Sequence, residues 1–105
     1  MIVRPLTRSD VETQLATAHA DILGLGVRRL ALFGSVQRNE ARTDSDVDVL
    51  VEFAPGMKSF DRLMALGDLL EARLARRIEL VTLESLSPFI GPYILAEAQD
   101  VVRAA

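Results

Sequence analysis

The 105-residue chain has no cysteine and no tryptophan. The absent thiols exclude disulfides, iron–sulfur clusters and Cys-ligated zinc. Aromatic residues make up only 5% of the chain, too few for the stacking platforms that hold single-stranded bases. Long apolar runs are also missing. The longest stretch without a charge, Ser85 to Ala96, is 12 residues, whereas crossing a bilayer takes about 20. Arg4, Pro5, Arg8 and Asp10 arrive before any apolar block, so no secretory leader is expected and a cytoplasmic location is. Basic residues number 12 against 15 acidic ones, a net charge of −3 that disfavours stable binding to long nucleic acid. Half of the residues are hydrophobic, enough for a sizeable core, and the length suits one domain spanning residues 1–105.

Apolar spacing predicts alternating helices and strands. Ser9 with Glu12 forms a candidate capping box ahead of an apolar stripe at Val11, Leu15, Ala18 and Ile22. Gly24 and Gly26 end that helix. His19, the sole histidine, has no partner nearby in sequence that would make it a ligand or a base. Val27 to Phe33 reads as a strand running into Gly34-Ser35, with a helical turn over Val36 to Asn39 and a polar loop from Glu40 to Ser45. Asp46 to Phe53 reads as a second strand, stopped by Ala54-Pro55-Gly56. Ser59 caps a helix expected to bury Phe60, Leu63, Met64, Gly67, Leu70 and Leu74, with Arg73, Arg76 and Arg77 complementing the dipole at its C-terminal end. Ile78 to Leu83 is a third strand. Ser87-Pro88 starts a turn or helix, and Ile94, Ala98, Val101 and Val102 imply a closing helical stripe to the end of the chain.

The chemistry concentrates in Leu32 to Phe53. Strand alternation puts Asp46 and Asp48 on one face, roughly 6–7 Å apart along the strand. Two carboxylates so placed repel each other, and a divalent cation relieves the repulsion. Mg²⁺ suits them because it binds one or two carboxylates together with substrate phosphates. Gly34 lets backbone approach a phosphate, while the following amides and the Ser35 hydroxyl can donate to it. Glu79 interrupts an otherwise apolar strand; if that strand pairs with the second, it faces Asp46 and Asp48. Three carboxylates with a phosphate loop make a two-metal site for phosphoryl or nucleotidyl transfer. Competing motifs fail. The Asp44-x-Asp46-x-Asp48 run lacks the glycine and glutamate of an EF-hand, and no P-loop lysine motif or complete dinucleotide glycine motif occurs.

These residues resemble the G-S-x10-D-x-D signature of the DNA polymerase β-like nucleotidyltransferase superfamily. Over almost its whole length the chain looks like a minimal nucleotidyltransferase (MNT), the antitoxin of HEPN–MNT toxin–antitoxin pairs. The resemblance implies an α/β (α+β) fold, a small mixed sheet flanked by helices. It also implies ATP as substrate and Mg²⁺ as cofactor, with Asp46, Asp48 and Glu79 as metal-binding and catalytic residues. Gly34 and Ser35 match triphosphate contacts. Arg38 is a candidate nucleotide-binding residue and, like Arg42, is equally suited to a solvated loop. Two positions depart from the family pattern: Glu79 stands where Asp is usual, and Asn39 stands where Gly is usual, although Asn accepts the left-handed conformation. The implied partner is a HEPN ribonuclease toxin that receives AMP on a tyrosine, with the chain as a homo- or hetero-oligomer. The alternative is a weak enzyme that neutralises its toxin by binding alone.

Overall fold

Val11, Leu15, Ala18 and Ile22 are all buried, so the apolar spacing of the first helical segment marks its packed face. The computed structural model describes residues 4–104; residues 1–3, where the expected leaderless start begins, and Ala105, at the end of the expected closing helix, lie outside it. The first segment forms two helices, α1 (Arg8–Ala16) and α2 (His19–Gly24). Its capping box starts two residues earlier than the sequence suggested. Thr7 Oγ1 accepts from the Asp10 amide at 3.2 Å, and Asp10 accepts from the Thr7 amide at 2.9 Å. Arg4 grips the same carboxylate with two 2.7 Å hydrogen bonds, which fix Asp10 as the capping acid in place of Glu12. The Arg4 bonds, followed by the Thr7 amide, hold that carboxyl well below the usual carboxylate range.

β1 (Val27–Phe33) leads directly into a helical turn, α3 (Gly34–Gln37). β2 (Val47–Phe53) starts one residue after Asp46. α4 (Phe60–Leu74) is capped by the Ser59 hydroxyl, which accepts from the Arg62 amide at 3.1 Å. Its buried side chains are Leu66, Leu70 and Leu74, whereas Phe60 and Met64 are 74% and 50% exposed. Packing against α1 and the third strand keeps Leu70 and Leu74 of the expected stripe and buries Leu66 in place of Phe60 and Met64. Deleting a fully buried leucine such as Leu70 to Ala would cost about 2–5 kcal/mol.

β3 (Ile78–Thr82) passes into a 3₁₀ turn (Leu83–Ser85), and α5 (Gly91–Glu97) follows. The closing helix expected through Val101 and Val102 does not form. Ala98 is extended, and Gln99–Arg103 is a strand, β4, that pairs antiparallel with β1. The reason is the free edge of β1, whose unpaired amides and carbonyls need partners; the β-branched Val101 and Val102 suit that edge.

The four strands are ordered β3-β2-β1-β4. β2 and β3 are parallel, joined through the α4 crossover, while β1 runs antiparallel to both of its neighbours. This is a mixed sheet flanked by helices. One face, with Leu30, Leu32, Val47, Val49 and Val51, packs under α1, α2 and α4. The other carries a smaller cluster, Ala31, Phe33 and Leu50, covered by Val81, Leu83, Leu86, Ile94 and Ala98. Among the described residues no helix is long and apolar enough to cross a membrane.

Candidate active site

Leu50 and Val81 lie in the smaller cluster, so strand alternation places Asp48 and Glu79, two residues before each, on that same face. Parallel pairing of β2 with β3 sets Asp48 directly beside Glu79. The third strand thus neighbours the second, as required for Glu79 to face Asp48. Asp46 precedes β2 and forms an ion pair with Arg77 at 3.6 Å.

Asp48 is also the register partner of Phe33, the last residue of β1. The chain turns immediately after Phe33 by giving Gly34 a φ of +78°, a left-handed conformation that L side chains rarely adopt. A β-carbon at Gly34 would lie 2.1 Å from Asp48 Oδ2. The glycine therefore makes room for the carboxylate itself, as well as for any phosphate that approaches the turn. Asn39 has φ +58°, so it takes the left-handed position expected where Gly is usual. Its side-chain oxygen accepts from the Arg8 amide at 2.9 Å, tying the loop to the start of α1.

Burial pushes the half-buried Asp48 carboxyl up to about 6, helped by a hydrogen bond with Glu79 and by the negative charges of Glu79, Asp46 and Glu97. A carboxyl crowded in this way is destabilised when ionised, and a cation would relieve it. The three carboxylates do not form a closed cage. Among the described residues no group of three acidic, histidine or cysteine side chains is arranged to hold a metal ion unaided. The donors are carboxylate oxygens, the kind that Mg²⁺ binds one or two at a time together with water and substrate phosphate.

Two members of the site were missed in sequence. Glu97, in the last turn of α5, adds to the negative potential at Asp48 and ion-pairs with Arg38. Nothing local marks Glu97, because 59 positions and two strands separate it from Arg38. Arg77 read as a dipole partner of α4, and the structure pairs it with Asp46. Arg38 itself is engaged by Glu97 and, at 2.7 Å, by Glu40, so its guanidinium is held by carboxylates at the end of α3. Ser35 sits half-buried in the first turn of α3, where its carbonyl accepts from the Glu40 amide at 2.8 Å.

The nucleotidyltransferase domain matches residues 13–101. The protein adenylyltransferase MntA of Thermococcus cleftensis is 42% identical over 94 residues, which cover 88% of this chain and 93% of that protein. A solved structure named as a minimal nucleotidyltransferase is 34% identical with a TM-score of 0.69, covering 84% of this chain and 93% of the other. A complex of MNT antitoxin with tri-AMPylated HEPN toxin from Shewanella oneidensis shares the fold at 19% identity and a TM-score of 0.62, over 90% of this chain and 71% of the matched one. The domain match runs from within α1 to within β4 and takes in the Gly34 turn and all three carboxylates, so the chain belongs to the nucleotidyltransferase domain family.

Proposed function

We propose that this chain is a Mg²⁺-dependent protein adenylyltransferase and an antitoxin. It moves AMP from ATP to a tyrosine of a HEPN-type toxin in the cytoplasm and so inactivates that toxin. The observation that carries this reading is the register of Asp48 with Glu79, under a turn whose glycine leaves space for the carboxylate. The likeness to MntA of Thermococcus cleftensis and to the MNT antitoxin seen with an AMPylated toxin supports protein as the acceptor.

Asp46, Asp48 and Glu79 would hold Mg²⁺, which supplies charge neutralisation to the triphosphate and to the departing pyrophosphate. Gly34 and Ser35 offer backbone amides and a hydroxyl to the phosphate oxygens. The phenol oxygen of the acceptor attacks the α-phosphorus, the bond from that phosphorus to the bridging oxygen of the β-phosphate breaks, and pyrophosphate leaves. Glu79, the exposed acid of the cluster, takes the phenol proton.

The test combines the purified chain with its partner toxin, ATP and Mg²⁺, and weighs the intact toxin by mass spectrometry. AMP increments are expected with the wild type and none with Asp46→Asn, which also loses neutralisation in cells. If Asp46→Asn protects cells as well as the wild type and no AMP is added, the antitoxin acts by binding alone.

A further inference from the structure

Asp48, Leu50 and Glu52 alternate along β2 onto one face of the sheet, and Glu52 stands about 13 Å from Asp48 at ~3.3 Å per residue. At that end the sheet borders an open cavity of about 620 Å³ lined by Glu52, Arg28, Arg29, Arg103 and Ala104. Strand register builds its floor as a row of Glu52, Arg29 and Arg103 across β2, β1 and β4. Like charges directly opposite one another weaken a strand pair. The Arg29–Arg103 pairing therefore depends on the acid that bonds both, Asp100.

The three guanidiniums share two carboxylates. Asp100 takes both Arg29, at 3.4 Å, and Arg103, at 2.9 Å, while Arg28 reaches Glu52 only at 3.8 Å. Arg28 and Arg103 are 62% and 71% exposed, so both can turn toward a ligand. The chain as a whole carries a net charge of −3, which makes this cationic cavity a local feature. Its volume falls within the ~300–1,000 Å³ usual for small-molecule sites. Guanidinium forks match phosphate oxygens, two bonds at a time.

We infer that this cavity is a second, metal-independent site for the diphosphate or triphosphate group of a small molecule, remote from Asp48. Free pyrophosphate and the phosphate tail of a nucleotide share the chemistry it reads.

The test is calorimetric titration of the full chain in EDTA, with pyrophosphate and ATP in separate arms. Without a divalent cation, the cluster around Asp48 repels both ligands, so binding reports on the arginines. Saturable, salt-sensitive binding is expected in at least the pyrophosphate arm, unchanged in Asp46→Asn and weakened about tenfold or more in Arg28→Gln, Arg103→Gln. Equal affinities in the two arms mean that the diphosphate alone is read, and tighter ATP binding means that the nucleoside adds contacts; either result supports the site. Arg28→Lys, Arg103→Lys keeps the charge and should retain weakened binding, which guards against a glutamine variant that fails to fold. Absence of saturable binding at millimolar pyrophosphate overturns the inference. So does undiminished binding in both double variants, or a hexaglutamate peptide that binds as tightly as pyrophosphate.

Discussion

Gly34 and Asp48 compete for the same space: the position of a Gly34 β-carbon lies 2.1 Å from Asp48 Oδ2. The shortest side chain at residue 34 would drive the carboxylate out of its place. Gly34→Ala also carries the left-handed penalty of about 1–2 kcal/mol. The variant should stay folded, melt several degrees lower, and lose the thermal stabilisation expected of the wild type with ATP and Mg²⁺. Thermal melts with and without ligand measure both effects. An unchanged ligand-induced shift would mean that Asp48 does not contribute to binding.

Asp48 should make the metal-free protein less stable at neutral pH. Its carboxyl titrates at about 6 in the folded chain and near 3.8 in the unfolded one. Between those values the folded state holds more protons, so stability falls as pH rises from about 4 to about 6 and is level above that. Asp48→Asn removes this loss. In EDTA at pH 8 the variant should exceed the wild type by about 1 kcal/mol, after allowance for solvent screening of a half-exposed group. That is roughly 4–8 °C in melting temperature for a chain of this size. The gap should close near pH 4, and melts across this pH range check it.

Glu79 touches Asp48 and is expected to serve the transfer step. Glu79→Gln should slow AMP transfer by about 10²–10⁴-fold, the usual range for losing a positioned proton acceptor. It should also let the Asp48 carboxyl titrate lower, because a neighbouring negative charge is gone. Glu79→Asp restores the acid usual in the family and should keep activity. Initial rates and an NMR titration of Asp48 separate these effects, and full activity in Glu79→Gln would reduce the residue to a structural role.

Ala75 ends α4 in the left-handed conformation, with φ +54° and ψ +36°. Glycine takes that conformation without the clash of a β-carbon. Ala75→Gly should therefore stabilise the chain by about 1 kcal/mol and leave transfer rates unchanged. A lower melting temperature would show that entropy lost on fixing the glycine outweighs the relieved clash.

What could be read from the sequence was local. The apolar run Leu30 to Phe33, the glycine directly after it, and the valine-rich stretch from Val47 to Phe53 each depend on a few neighbouring residues, and backbone geometry turns those patterns into strand and turn. The left-handed Asn39 was legible for the same reason. Tertiary structure decided the rest. The buried face of α4 was set by what it packs against, which took in Leu66 and left Phe60 and Met64 of the expected stripe exposed. Val101 and Val102 fit a helical stripe as well as a strand, and became a strand because β1 had an unpaired edge beside them. Glu79 and Glu97 were brought to Asp48 by the parallel pairing of β3 and by the return of α5, contacts between residues far apart in the chain. Short-range patterns set which backbone shapes are available, but long-range pairing and burial select among them, because only there are backbone hydrogen bonds completed and apolar faces removed from water.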